Sequence, residues 1–434
     1  MSDALPLPPR PNVEQYKKLA KDFQRACKSS DSGAVRGWAV HWVETIARLQ
    51  GEEITPNARR RLDVEAERIE HRWNKLKEKR ELAGRCTLAD AQLFVAREHG
   101  FASWPKFAGH LQALARAHSA VSQFEAAAEA IVRGEFATLE KLLKENPALV
   151  RARSMREHRS TLLHYAAANG VEDFRQKTPH NIVEITKLLL AAGADVNAES
   201  DAYGGRSTTL GLAATSCHPE NAGVQFPLME LLIDYGAIIN GPDAGSTVNA
   251  CLHNGRRQAA EFLANRGARL DLEGAAGVGR LDLVKSFFND DGSLRPPATE
   301  KQVRDGFAWA CEFGRNGVVD FLLRRGVAIG AKLSHDGQTG LHWAALGGHA
   351  DTVKLLLERG VRVDARDERY DGTPLGWALY AWNTRAKAAE RERYYEVVAV
   401  LVRAGAKPPV FAGADRVASD PRMQAALRGE IAAE

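Results

Sequence analysis

Asp336-Gly337-Gln338-Thr339-Gly340-Leu341-His342-Trp343-Ala344-Ala345 is followed by Gly348-His349, then by Val353-Lys354-Leu355-Leu356-Leu357 and Gly360. Thr339 stands where a side-chain oxygen can cap a helix start. Ala344 and Ala345 are small, so a neighbouring helix can approach closely. Gly360 closes a leucine-rich segment, the place where a left-handed residue ends a helix. The stretch from Asp336 to Ala365 therefore predicts a turn, an inner helix, a tight link, an outer helix and a glycine-ended loop. One such helix pair cannot bury its apolar face alone and must stack on another.

The same phase recurs along the chain. Ala194-Asp195-Val196-Asn197, Ala237-Ile238-Ile239-Asn240, Ala268-Arg269-Leu270-Asp271, Val327-Ala328-Ile329 and Val361-Arg362-Val363-Asp364 each follow a glycine: Gly193, Gly236, Gly267, Gly326 and Gly360. Counting in this phase predicts about eight units from near Phe124 onward, with residues 420–431 as a terminal cap. The unit at Gly274–Gly292 is short and lacks most of its turn. Thr339-x-Leu341-His342-x-Ala344-Ala345, with the later Leu355-Leu356-Leu357-x-x-Gly360, resembles the ankyrin repeat, and the resemblance covers residues 120–430. It implies an all-α solenoid of helix pairs joined by short β-hairpin-like turns. It also implies that His164 and His342 hydrogen-bond backbone and knit adjacent turns.

Residues 1–122 read differently, as a helical N-terminal leader or capping domain ahead of an array at 123–434. Val13, Tyr16, Leu19, Ala20 and Phe23 recur at helical spacing, as do Trp38, Trp42, Ile46 and Leu49. Pro56–Leu82 and Leu88–His99 predict two further helices, and Ser103 predicts the start of a last one. The stretches Leu7–Asn12 and Leu88–Lys106 resemble a helical leader found ahead of ankyrin repeats in bacterial proteins, which implies a bacterial source and no particular chemistry. The leader carries 21 Lys+Arg against 15 Asp+Glu. Acidic residues interleave with the basic ones, so a solvated mixed-charge face is preferred over nucleic-acid binding.

Composition bounds the rest. Net charge is +4 and apolar residues make up 44%, which excludes a disordered chain. The longest aliphatic run, Val397–Val402, is far below the ~20 residues of a membrane span. Five scattered cysteines predict a reducing, cytoplasmic setting. Phosphate-loop, zinc-protease and serine-hydrolase motifs are missing. The expectation is a non-enzyme without metal or cofactor, favoured as a monomer, that binds an unidentified protein partner.

Trp309, Trp343 and Trp377 lie 34 residues apart and predict an aromatic ladder through three successive inner helices. The repeat geometry implied by the resemblance places a partner surface on the concave face, at turn tips and inner-helix ends. The candidates there are Tyr203, Arg206, His253, Phe313, His335, Gln338, Leu346, Arg366, Arg369, Tyr370 and Tyr380. An alternative is an enzyme or small-ligand site built from the extra residues between paired helices at 171–180, 217–226 and 382–394. A second alternative is nucleic-acid binding through the basic leader.

Overall fold

The computed structural model describes residues 4–8, 10–79, 86–241, 246–333, 336–386, 388–408 and 414–431. They divide into two compact units, Met1–Ile238 and Ile239–Glu434.

The first unit opens with five helices, α1 (Val13–Lys28), α2 (Ala34–Leu49), α3 (Pro56–Lys79), α4 (Leu88–Glu98) and α5 (Trp104–Leu114). Their apolar stripes meet in an aromatic core. Phe23 packs on Trp38, Trp73 and Phe94 with ring centroids 4.4, 4.8 and 4.9 Å away. Leu49 departs from the expected stripe and is 51% exposed, because α2 ends there. The repeat helices of this unit are α6 (Ala120–Arg133), α7 (Phe136–Glu145), α8 (Leu162–Tyr165), α9 (Ile182–Ala191), α10 (Thr209–Thr215), α11 (Cys217–Asn221) and α12 (Gln225–Asp234). The leader is packed onto the first repeats. Glu157 N–H donates to Gly100 O at 2.9 Å, and the Arg156 guanidinium lies 5.4 Å over the Phe101 ring. The compact unit thus runs well past residue 122.

The second unit contains α13 (Ser246–His253), α14 (Arg257–Asn265), α15 (Leu272–Val278), α16 (Leu281–Ser286), α17 (Glu300–Glu312), α18 (Asn316–Arg324), α19 (Gly340–Gly347), α20 (Ala350–Glu358), α21 (Pro374–Thr384), α22 (Glu392–Arg403), α23 (Ala414–Ser419) and α24 (Pro421–Leu427). Inner helices α15, α17, α19 and α21 pack side by side, and outer helices α16, α18, α20 and α22 form a second row. With three pairs in the first unit and five here, the described residues contain the eight pairs that the phase predicts. Helix α24 covers α22 and buries Met423 and Ala426, as a terminal cap would.

Local chemistry explains the register. Thr339 and His342 form a capping box in which the Thr339 N–H donates to His342 Nδ1 at 3.1 Å. The other ring nitrogen, Nε2, then lies 3.2 Å from Gly372 O in the next turn. His164 repeats this with Thr161 and Ser207 O. Both histidines are structural, as the resemblance implies. The turns are short, as in the antiparallel pair Glu199–Ser200 with Ser207–Thr208. Asparagines clip successive loops. Asn197 donates to Gly236 O and accepts from Ile238 N–H. Asn240 does the same with Gly267 O and Arg269 N–H.

Burial holds several histidines neutral. It pulls His99 down to about 3 and His110, His164 and His349 down to about 4, and it lowers His342 as well. In the unfolded chain these groups take up protons near ~6.5. Their folded values are depressed, so the stability they confer is complete above that range and is lost as pH falls from about 6.5 toward 4. Urea unfolding at pH 7.5 and pH 5 should therefore give a lower midpoint at pH 5. Equal midpoints would contradict the assignment of these rings as buried neutral groups.

Candidate partner-binding surface

The expected aromatic ladder is present in the second unit. Trp309 on α17, Trp343 on α19 and Trp377 on α21 are all half-buried. Trp309 and Trp343 meet edge to face at 5.7 Å, and Trp343 and Trp377 at 6.0 Å. Phe313 stacks on Trp309 at 6.1 Å, and the His253 ring closes the far end at 5.0 Å. The row thus combines inter-repeat packing with indole surface left open. The matching positions in the first unit, Tyr165 and Leu212, are buried and show no such surface.

Two carboxylates that were not among the expected residues sit behind this row. Glu273 accepts from Trp309 Nε1–H at 2.9 Å, and Asp367 accepts from Trp377 Nε1–H at 3.0 Å. Both are buried. Burial pushes the Glu273 carboxyl up, against the Trp309 hydrogen bond and His253. Asp367 is held low despite burial, because the N–H groups of Tyr370, Gly372 and Arg369 and the Trp377 indole all donate to it. The same four bonds shape the turn that displays Arg366, Arg369 and Tyr370. An aspartate near a tyrosine and a glycine is ordinary in a loop, so its organising role had no distinct sequence signal. Glu312, half-buried one turn beyond Trp309, is pushed up by burial to about 7, with Arg385 pulling the other way.

The candidate residues divide into exposed and covered. Tyr203, Tyr370 and Tyr380 are 66%, 65% and 51% exposed. Arg206, Arg366 and Arg369 are exposed with intramolecular acidic neighbours: Glu199 at 3.6 Å, Asp371 at 2.6 Å and Asp336 at 3.4 Å. The Arg369 guanidinium also lies 5.2 Å over the Tyr370 ring. His253 is exposed, and its Nδ1 bonds Asn249 O at 2.7 Å. Three expected contacts are covered. Gln338 is 2% exposed and Leu346 3%, and Phe313 keeps only 9%. Gln338 O accepts from Leu333 N–H inside the turn. Leu346 O accepts from the Tyr394 hydroxyl. Such positions leave little side chain for a partner. His335 falls outside the described residues. Tyr203 and Arg206 belong to the first unit and the other described candidates to the second.

The groups expected in the segments between paired helices differ in setting. Asp173 and His180 are exposed, while Tyr394 is buried with its hydroxyl committed to Leu346 O. Among the described residues no group of three or more His, Cys, Asp or Glu side chains could hold a metal ion. A cleft of 620 Å³ lies in the first unit between the N-terminal strand of chain at Ala4–Pro6, α2, α3 and Asp173–Lys177. Its rim charges are largely satisfied, since Arg61 pairs with Glu52 and Arg68 with Glu65.

Several basic side chains of the leader face acidic ones. Arg36 faces Glu67 and Glu70, Arg59 faces Glu44, and Arg72 binds Glu65 and Glu98. Acidic and basic side chains are thus interleaved along these helices. None of the described helices is long and apolar enough to cross a membrane.

Comparison with known proteins agrees with the repeat geometry. The ankyrin repeat family matches residues 158–201, and its three-copy form matches residues 307–412. No curated protein matches the chain. Among solved structures, the human ASB11 ankyrin repeat domain is similar at 19% identity, covering 65% of this chain and 99% of that one, with a TM-score of 0.32. Ankyrin repeats serve in general as protein-interaction scaffolds. The two family matches, with the capping boxes, glycine-ended outer helices and stacked pairs described above, identify ankyrin repeats in this chain, at residues 158–201 and 307–412.

Proposed function

We propose that the protein is a non-catalytic scaffold that grips a partner protein on the concave, inner-helix side of its repeats. The principal surface is in the second unit, formed by the tryptophan row, the turn tip at Arg366, Arg369 and Tyr370, and Tyr380. The observation that carries this reading is the exposure of Tyr370 and Tyr380 beside half-open indoles. Exposed aromatics next to arginines are what binding hot spots are made of, and large apolar side chains left in water mark interaction sites. The leader acts as a packed cap for the first repeat, and the array works in the cytoplasm of a bacterium.

The test is co-purification. Tyr370→Ala combined with Tyr380→Ala removes two exposed rings and should leave the melting midpoint within about 1 °C, because surface changes are usually within ~0.5 kcal/mol. Proteins captured by the parent chain should be lost from the variant. Capture of the same proteins by both chains would remove this surface from the function.

A further inference from the structure

The two end indoles of the tryptophan row are each backed by a buried carboxylate, Trp309 by Glu273 and Trp377 by Asp367. An indole N–H given to a carboxylate enriches the ring in electrons, and the negative π face of tryptophan already attracts cations. At the Trp309 end several carboxylates gather with few cations among them. Around Glu273 lie the carboxylates of Asp305 and Asp271, with His253 Nδ1 3.7 Å from its Oε1. The His253 Nδ1 is already engaged with Asn249 O, and Lys301 is paired with Asp305. Among the described residues the donors to Asp271 are neutral, the Asn249 and Gln302 amides and Gly274 N–H. Glu312 has Arg385 as its opposing charge. A carboxylate taken out of water without a cation is costly, and an arriving cation relieves that cost.

Spacing adds a second constraint. Ring centroids step by 5.7 and 6.0 Å along the row. An extended chain rises ~3.3 Å per residue, so its alternate side chains fall roughly 6.6 Å apart on one side. An extended segment can thus set one side chain on each successive indole.

We propose that the inner-helix row of the second unit binds an extended basic segment of its partner, seating alternate arginine or lysine side chains on Trp309, Trp343 and Trp377. The inference rests on the reading of this row as the partner surface and adds the chemistry of what it accepts. The carboxylates behind the rings reject acidic segments and set the preference for cations.

The probes are fluorescein-labelled peptides of alternating Arg-Ser, Leu-Ser and Glu-Ser, titrated against the full chain by anisotropy. The Arg-Ser peptide should bind at least about tenfold more tightly than the other two, with affinity that falls as salt is raised. Glu273→Gln keeps the acceptor for the Trp309 indole and removes the charge. It should weaken Arg-Ser binding by about tenfold while leaving the melting midpoint in place. Trp343→Phe should weaken it several-fold with little loss of stability, because the Trp343 indole N–H has no acceptor among the described residues. Equal binding of Arg-Ser and Glu-Ser peptides, or an unchanged affinity in Glu273→Gln, would overturn the proposal. Leu-Ser binding that depends on Trp343 but ignores charge would leave the partner surface standing and remove only the basic specificity. If no peptide binds and the captured partner is indifferent to Trp343→Phe, both readings fall.

Discussion

Glu172→Ala should destabilise the first unit by about 3–5 kcal/mol, the cost of leaving a buried charge without its counterion. Glu172 is fully buried in a charged network with Arg156, Arg175 and Glu125, which Glu129 joins through Arg175. Arg156 lies 2.8 Å from both Glu172 and Glu125, while Arg175 is 3.4 Å from Glu172 and 2.7 Å from Glu125. His158 stands 3.7 Å from Glu172, and the Tyr165 hydroxyl donates to Glu172 at 3.4 Å. Removing this carboxylate leaves two guanidinium groups, themselves 2% and 6% exposed, to share Glu125, with Glu129 3.4 Å from Arg175 as the remaining acid. The double change Arg156→Met with Glu172→Met removes one charge of each sign and leaves the 2.7 Å pair of Arg175 with Glu125 intact. It should cost less than Glu172→Ala alone, since apolar replacement of a buried ion pair is often close to neutral. Chemical denaturation of the three proteins decides the matter, and a double variant weaker than the single would refute the compensated-network account.

The network also fixes a response to acid. Burial alone would raise both carboxyls, but Arg156 and Arg175 outweigh it, so Glu125 falls to about 2 and Glu172 lies well below the usual range. Folded values depressed in this way confer stability that is complete above the unfolded carboxyl value of ~4.3 and is lost as pH falls toward about 2. The acid limb contributed by these two groups therefore lies below the one set by the buried histidines.

Gly347→Ala should be comparably damaging in the second unit, against the expectation from helix preference. Gly347 lies within α19, where alanine would ordinarily be better by ~1 kcal/mol. A methyl group built there would run into the carbonyl of Glu312 on α17 and come within 2.8 Å of the His349 ring. Backbone cannot yield as a flexible side chain can, so the two inner helices must separate, and overpacking of this kind costs about 1–3 kcal/mol or more. Gly37 on α2 provides the control, because nothing lies within 4 Å of its missing methyl. Gly37→Ala should raise stability by about 0.5–1 kcal/mol. Thermal denaturation that moved both midpoints the same way would rule out the close approach of α17 and α19 as the cause.

The elements that the sequence made legible are those written in local chemistry. Thr339, His342 and Gly360 carry cap, clip and stop within one repeat, and their periodic return gives the count of helix pairs. The tryptophan row could be read because its spacing equals the repeat. The charged network could not. Glu125 and Arg175 are 50 residues apart, and each alone looks like a solvated surface residue. Burial at turn tips was equally hidden. Gln338 and Leu346 occupy positions that face outward in a schematic repeat, but the neighbouring turn and Tyr394 of the next unit enclose them. Glu273 and Asp367 were missed for a related reason. Their significance comes from an indole on another repeat or ten residues away, and no local pattern announces that contact.

The loop clip at Asn240 has a consequence for the protein's lifetime. Its amide gives one hydrogen bond and receives another, to Gly267 O and from Arg269 N–H, so a carboxylate in its place would face a carbonyl without a proton to offer. The residue that follows is Gly241, the neighbour that least hinders attack of the backbone nitrogen on an asparagine side chain. Spontaneous deamidation at this exposed clip converts the amide into the group that cannot serve. The join between these two loops is thus a point where chemical ageing, with no mutation and no partner, loosens the stack.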